Sequence, residues 1–306
     1  MTLRRGLGVL AGGFVLWLFA VWPPPVWYRT HWPAETAFMA MREREGRTPE
    51  RARAYRPVPL DSIAPAVVEA VLIGEDQRFW EHGGVDFQAL RHALGYRRDT
   101  FSWTSARDRA ELVPALRRAW ERRRALRGAS TVTQQLAKNL YLSPSRNPLR
   151  KLKEAVTAYR LEAALGKRRI LELYLSVAEL GHGVWGVEAA SRRYFDRPAR
   201  RLTRRQAAAL AASLPFPLSS NPAHRPGRMR WRQSLILRRM EGERVEVPKL
   251  ATEDELPPPP AVPPAVDSVI PVAAPPLEPD PLGQPDPEPA GDSTAVPAES
   301  VAVSSR

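Results

Sequence analysis

Apolar residues recur at intervals of three and four along this chain, and that spacing limits the folds open to it. The intervals are clearest in residues 63–75, 132–140, 149–159 and 170–174. Side chains three and four residues apart share one face of an α-helix, whereas a half-buried strand requires strict alternation. The sequence shows no sustained alternation, so we predict a mainly α-helical body.

Local signals mark where several helices begin and end. Ser62 is predicted to be the N-cap of a helix that runs to Glu75, and Thr203 the N-cap of an alanine-rich helix. A further helix is predicted over residues 228–240. The segment Gly-His-Gly-Val-Trp-Gly, residues 181–186, is predicted to be a turn.

The N-terminus carries an uncharged apolar run of 17 residues, from Gly6 to Trp22, directly after two arginines. A run of this length is near the lower limit for crossing a bilayer, and the positive flank places the N-terminus in the cytoplasm. Residues 1–28 are therefore predicted to form a single transmembrane signal anchor in the inner membrane, with the rest on the periplasmic side. A cleaved signal peptide is the alternative. Residues 29–58 are polar and irregular, and are predicted to be a juxtamembrane connection.

The rest of the chain divides by composition into a basic body, residues 59–245, and an acidic tail, residues 246–306. From residue 248 onward there are sixteen of the 32 prolines, ten acidic residues and two basic ones, which predicts disorder. Residues 1–247 then hold 44 basic and 23 acidic residues, a formal net charge of +21. That charge favours nucleic acid, anionic lipid or a phosphorylated substrate. Cysteine is absent, which excludes disulfides, and no His pair has zinc-ligand spacing.

One segment combines hydroxyls, amides and a cation: Gly128-Ala-Ser-Thr-Val-Thr-Gln-Gln-Leu-Ala-Lys-Asn139. Ser130 and Thr131 lie where a helix would begin, and free backbone N–H groups at that end form an anion site. Further basic residues surround Glu154 downstream; they are Arg146, Arg150, Lys151 and Lys153. Taken alone, residues 128–139 are explained by a capped amphipathic helix, and the basic residues beside Glu154 by a surface ion pair. Together they indicate a cradle for a diphosphate and a divalent cation.

Glu75 supplies a candidate base, because it ends an otherwise apolar helix and could lie at the rim of a cleft. Partial desolvation there would strengthen the carboxylate as a base. The alternative is a carboxylate that faces water at the end of a helix. His82, nearby in sequence, is as well explained by a structural hydrogen bond.

Five blocks, in order, resemble the peptidoglycan glycosyltransferases of the penicillin-binding protein family, and most of all its monofunctional biosynthetic transglycosylases. The blocks are Glu75-Asp-Gln-Arg-Phe79 with His82 and Gly84; residues 128–139; Arg150-Lys-Leu-Lys-Glu154; residues 167–176 continuing through Gly181, Gly186 and Ala190; and Ala208–Pro217.

The resemblance implies a lysozyme-like helical domain that polymerises lipid II into glycan strands. The transfer inverts the anomeric centre and releases undecaprenyl diphosphate, without transpeptidase activity. Glu75 matches the catalytic base and Glu154 the second essential carboxylate. Other positions match residues that bind substrate: Ser130, Gln134, Gln135, Lys138, Asn139, Arg146 and Arg150.

The resemblance also implies a divalent cation, Mg²⁺ or Mn²⁺, held with the donor diphosphate and Glu154, and no organic cofactor. The expected partners are lipid II, the growing glycan strand, the membrane and proteins of cell-wall synthesis and division, but not nucleic acid. Three features depart from the family pattern. Ser176 stands where asparagine is usual, and Phe216 stands where a polar residue is common. Residues 97–127, with ten arginines and four acidic residues, form an insertion that we expect to lie against anionic lipid.

Two other functions compete with glycosyl transfer. A lysozyme-like hydrolase or lytic transglycosylase needs a neutral carboxylic acid to protonate its leaving group, whereas the cations around Glu154 favour the ionised form. A basic membrane-anchored scaffold would explain the charge, but no nucleic-acid motif accompanies it. A departing diphosphate needs cations rather than a proton, so the sequence favours the transferase.

Overall fold

The computed structural model describes residues 3–46, 53–93, 102, 104–121, 130–142, 148–248 and 250. Within these residues the fold is mainly α-helical, as predicted, with eleven α-helices and three short strands. The helices are α1 (Leu3–Phe19), α2 (Ala37–Arg44), α3 (Pro65–Glu75), α4 (Phe87–Ala93), α5 (Ala106–Glu121), α6 (Val132–Tyr141), α7 (Pro148–Leu165), α8 (Lys167–Val177), α9 (Val187–Phe195), α10 (Arg204–Ser213) and α11 (Gly227–Met240). The strands are β1 (Ala54–Tyr55), β2 (Glu179–Gly181) and β3 (Val184–Trp185).

Two groups of helices share one hydrophobic core. α3 packs against α10 and α11, and α6 packs against α7 and α8. The alanines of α10 are buried from Ala207 to Ala212, and their small side chains let the neighbouring helices approach closely. Val71 of α3, Leu136 of α6 and Ile236 of α11 all belong to the same core cluster. This packing brings the end of α3 beside α6.

Of the two predicted helix caps, Thr203 is correct and Ser62 is wrong. Thr131 and Thr203 each form a capping box with the glutamine three residues later, at the start of α6 and α10. Ser62, however, ends a short 3₁₀ helix, and α3 begins at Pro65 with Ala64 as its N-cap. Proline suits the first helical position because it has no N–H to satisfy and its φ is already helical.

Residues 29–58, predicted to be an irregular connection, contain structure that packs on the body. α2 follows a Thr36 cap, and β1 joins a three-stranded sheet of order β1-β3-β2. β1 runs parallel to β3, with Ala54 opposite Val184, and β2 runs antiparallel to β3. The predicted turn at residues 181–186 thus contributes the hairpin between β2 and β3. These strands are two or three residues long, too short to show the alternation by which strands are recognised.

α1 contains most of the apolar run that was expected to anchor the chain. Its side chains are largely exposed, including Leu10 at 73% and Leu16 at 72%. Of the helices in the described part of the chain, none is both long and apolar enough to cross a membrane. α1 contacts α7, where the Lys153 ammonium lies 4.7 Å from the centre of the Trp17 ring.

The arginine-rich insertion is helical over α5, in agreement with its helical composition. The remainder of residues 97–127, apart from 102, 104 and 105, lies outside the described residues, as do residues 251–306 of the predicted tail. Val247 is buried in the core, two positions beyond the predicted end of the body.

Candidate active site

The carboxylate of Glu75 is buried at the end of α3 and held from two sides. Its residue is only 8% exposed, so the alternative of a water-facing helix end is excluded. The Gln135 side-chain amide donates to Oε2 at 2.9 Å, and Arg232 Nη2 donates to Oε1 at 3.1 Å. Tyr174 in turn donates from its hydroxyl to Oε1 of Gln135 at 3.0 Å. The orientation of the Glu75 carboxylate is therefore fixed before any substrate binds.

Tyr174 completes this chain of hydrogen bonds as a permanent donor. It is fully buried on α8, and its burial raises the pKa of its hydroxyl well above the ordinary value of 10.0. The negative charges of Glu75 and Asp76 raise this pKa further, against a smaller opposite effect of Arg232. The hydroxyl keeps its proton, and Gln135 keeps its amide group turned toward Glu75.

Arg232 is the residue of this site that sequence analysis missed. Its side chain is fully buried, and Nη2 also donates to the carbonyl of Gly74 at 2.7 Å. Nη1 donates to the carbonyl of Pro248, so the segment after α11 takes part in holding the guanidinium. A signal was present in the sequence: Met229, Arg232, Ile236 and Met240 follow helical spacing, which places a charge on the apolar face of α11.

Asp76 and His82 join the end of α3 to the start of α6. Asp76 is fully buried; its Oδ1 lies 2.9 Å from His82 Nε2, and its Oδ2 accepts from the backbone N–H of Val132 at 2.9 Å. This arrangement supports the structural explanation for His82. It also occupies one of the free N–H groups at the start of α6 that were expected to face an anion.

α6 presents most of the predicted substrate-binding residues. Gln134 uses its side-chain oxygen to accept from Thr131 N–H in the capping box, so that oxygen serves the fold. Asn139 is buried, 6% exposed, on the same helix. Lys138 is 7% exposed, and its ammonium lies 5.5 Å from the centre of the Phe38 ring. Among the described residues it has no acidic partner.

Glu154 is a buried carboxylate held by two cations, whereas the sequence alone was also compatible with an exposed ion pair. It is 2% exposed, and Arg150 Nη1 donates to its Oε2 at 2.8 Å. Lys151 Nζ contacts the other carboxylate oxygen and also donates to Ser130 Oγ at 2.7 Å. Ser130 therefore links the cluster on α7 to the start of α6. Arg146, which was predicted to belong here, lies outside the described residues.

Neither group of carboxylates offers an open metal site. Within the described part of the chain, ligand atoms of Asp76, His82 and Asp86 lie within 4.8 Å of one another. However, the two oxygens of Asp76 already contact His82 and the backbone N–H of Val132. Asp86 Oδ1 accepts from two backbone N–H groups at 2.9 and 3.0 Å and from Arg78 at 3.1 Å. Glu154, the predicted ligand, has a protein cation on each oxygen. These donor sets fit structural and anion-binding roles better than a resident metal.

A family model described as transglycosylase matches residues 43–241, more than half of the chain. The chain belongs to this family. The chain is similar to biosynthetic peptidoglycan transglycosylases of several organisms, among them Bordetella pertussis, Neisseria gonorrhoeae and Azoarcus sp.. With the Bordetella pertussis relative (strain Tohama I) it is 42% identical over 240 residues, which are 77% of this chain and 88% of the relative.

The other two relatives cover similar lengths. The Neisseria gonorrhoeae protein is 38% identical over 246 residues, 79% of this transglycosylase and 94% of the relative. The Azoarcus sp. (strain BH72) protein is 37% identical over 246 residues, which are 75% of this chain and 97% of the relative. The family resemblance drawn from the five sequence blocks is thus confirmed.

Proposed function

We propose that this transglycosylase is a peptidoglycan glycosyltransferase that polymerises lipid II, with inversion and release of undecaprenyl diphosphate, on a lysozyme-like helical domain. The names of its relatives support this proposal. One observation in the structure carries it. α6 presents two side chains three positions apart, Gln135 beside a fixed, buried carboxylate and Lys138 as a buried cation with no described acidic partner. Transfer from a diphosphate donor requires a base for the acceptor hydroxyl and a cation for the leaving diphosphate.

Glu75 acts as the general base. Each oxygen of a carboxylate can accept more than one hydrogen bond, so the single donors from Gln135 and Arg232 leave lone pairs for an acceptor hydroxyl. As the acceptor 4-hydroxyl oxygen forms its bond to the donor anomeric carbon, its proton passes to Glu75. The bond between the anomeric carbon and the diphosphate breaks on the opposite side, and its electron pair leaves with the diphosphate.

The cations hold the charge that develops on the leaving group. Lys138, Arg150 and Lys151 are positioned before the reaction, and such preorganised charge stabilises a transition state without further rearrangement. A hydrolase would instead need a neutral acid at the leaving oxygen. The pairing of Glu154 with two cations does not favour that alternative.

The divalent cation, Mg²⁺ or Mn²⁺, stays a prediction from the sequence. Magnesium is commonly held by one or two carboxylates and the oxygens of substrate phosphates. Because Arg150 and Lys151 occupy both oxygens of Glu154, the oxygens of the bound diphosphate would have to be the main ligands. Its chemistry there would be further neutralisation of the leaving group. Polymerisation assays with EDTA and with added Mg²⁺ or Mn²⁺ would test it.

Membrane attachment also stays a proposal, supported by the exposed apolar side chains of α1 and the aromatic residues Trp22 and Trp27. In this proposal α1 lies in the inner membrane, the body is periplasmic and the basic α5 faces anionic lipid. Sedimentation of the protein with anionic and neutral liposomes, with and without residues 97–127, tests the role of α5. Equal binding by both proteins would contradict it.

A Glu75→Gln variant tests the proposed reaction. Removing a general base is expected to lower lipid II polymerisation about 100-fold or more. Glu69→Gln, on the same helix but 46% exposed, is the matched control and should polymerise normally. Polymer formation by Glu75→Gln at the wild-type rate would contradict the role of Glu75. Failure of the wild-type protein to form any polymer would contradict the function itself.

A further inference from the structure

We infer that Phe38 of α2 is a positioning residue for Lys138, so that the segment before the family-matched region completes the diphosphate site. This inference rests on the proposed function. It assigns a role in substrate binding to a helix that lies outside residues 43–241 for most of its length.

Lys138 has a buried stem but no polar partner. Its residue is 7% exposed, and the structure gives it no hydrogen bond or ion pair with any described residue. Nζ keeps some solvent exposure at the end of that stem. The protein contact of the ammonium is with the face of the Phe38 ring, 5.5 Å from Nζ, whose quadrupole attracts a cation.

A ring differs from a carboxylate as a partner because it orients the ammonium without neutralising it. The three N–H donors of lysine stay available for the oxygens of a diphosphate. Arg150 and Lys151, by comparison, already contact Glu154. Among Lys138, Arg150 and Lys151, Lys138 is therefore the cation that no described carboxylate neutralises, and its charge stays available for an entering anion.

Phe38 is itself rigidly held, as a positioning residue must be. It is 3% exposed, and the Trp185 ring meets it edge-on with 5.7 Å between centres. The Arg42 guanidinium lies 4.8 Å from the ring centre. Arg42 is anchored by Glu179 through bonds of 2.9 Å from Nε and 2.7 Å from Nη2. The ring therefore has no freedom to leave Lys138 without disrupting this cluster.

The test distinguishes the electrostatic effect of the ring face from the effect of the ring's size. Phenylalanines with one, two or three ring fluorines at position 38 keep the shape but progressively weaken the attraction for cations. We expect stepwise weaker lipid II binding to a Glu75→Gln background, and a stepwise fall in kcat/KM for polymerisation in the active enzyme. Phe38→Leu should lower kcat/KM about three- to tenfold. Met39→Leu, a neighbour that is 1% exposed in the same cluster, should change neither quantity.

A second series in a Lys138→Met background decides whether the effect passes through Lys138. There, fluorination should leave lipid II binding unchanged, because the cation that responds to the ring is gone. Binding that is insensitive to fluorination with Lys138 present, or an equal loss with Met39→Leu, would overturn the inference. These outcomes are distinct from failure of the proposed function, which would show as absence of polymer from the wild-type enzyme.

Discussion

At the scale of single residues, Arg232 has the most direct effect on the proposed chemistry. An Arg232→Met variant removes one of the two donors to Glu75 and the cation beside it. We expect kcat to fall tenfold or more, because the Glu75 carboxylate loses a donor that fixes its orientation. Steady-state polymerisation assays would measure kcat.

The control for this prediction lies on the same helix. Arg230→Met changes an exposed arginine of α11 and should leave the rate as it is. An equal loss of rate in Arg230→Met and Arg232→Met would contradict the role given to Arg232.

Gly186 is fixed by a close approach between backbones. Its φ is +81°, and a Cβ there would lie 2.2 Å from the carbonyl oxygen of Ser176. Gly186→Ala is expected to reduce the free energy of unfolding by about 3 kcal/mol or more, through strain and overlap together. Gly166→Ala is the matched control, because its φ is +74° but its Cβ would meet nothing within 4 Å. It should cost about 1 kcal/mol, and equal losses in urea unfolding would contradict this account.

Ser176 stands where the sequence resemblance leads us to expect asparagine. Its Oγ is buried and has no hydrogen-bond partner among the described residues. The hydrogen-bonding capacity of this side chain is thus unsatisfied within the described part of the chain.

At the scale of elements, α6 is the link between the two halves of the site. Its residues contact Glu75 through Gln135 and Phe38 through Lys138, and Ser130 just before it contacts Lys151. The start of α6 is fixed by Thr131, whose Oγ1 accepts from Gln134 N–H and donates to the carbonyl of Gly84 at 2.6 Å. A change at Thr131 therefore affects both stability and the site.

Thr131→Ala is expected to lower the free energy of unfolding by about 2 kcal/mol, since it removes a cap and a buried hydrogen bond. Polymerisation should fall as well, because α6 carries the groups that hold Glu75 and the donor. Thr203→Ala, in the exposed capping box of α10, should cost about 1 kcal/mol and leave the rate unchanged. Urea unfolding and initial rates measure the two effects, and equal behaviour of both variants would contradict the role given to α6.

At the scale of the whole molecule, buried tyrosines make stability depend on alkaline pH. Burial is the main cause that raises the pKa of Tyr55, Tyr141 and Tyr174, and it raises that of Tyr194 to about 12. The folded chain keeps these protons above pH 10, where an unfolded chain loses them. Their contribution is complete below pH 10 and is lost as the pH rises further.

We therefore expect the free energy of unfolding to fall steadily above pH 10. Tyr194→Phe should make that fall less steep, by up to about 1.4 kcal/mol per pH unit between pH 10 and 12. Tyr159→Phe, which alters a 43% exposed tyrosine, should change the slope less. Denaturant titrations from pH 9 to 12 provide the measurement, and identical slopes for wild type and Tyr194→Phe would contradict the assignment.

How far the sequence predicted this molecule depends on the range of the interaction concerned. Helix periodicity and capping act over a few residues, and they correctly gave α6, α10 and the end of α3 at Glu75. The partners of Glu75 and Lys138 could not be found in that way. Arg232 is 157 positions from Glu75, and Phe38 is brought to Lys138 by packing of a segment that looked like a linker. Such pairings depend on the tertiary arrangement of the helices, which local patterns do not encode.

The sheet formed by β1, β3 and β2 has a practical consequence for anyone who shortens this protein for crystallisation. A version that begins at residue 59 would remove β1 and turn β3 into an open edge, a template for pairing between molecules. It would also remove Tyr28 from the core. The hydrogen bond that Arg29 Nε donates to the carbonyl of Ala164 would be lost as well. Insoluble or aggregated protein would be the expected outcome. The cut belongs before Pro25, where the first packed turn of the N-terminal segment begins.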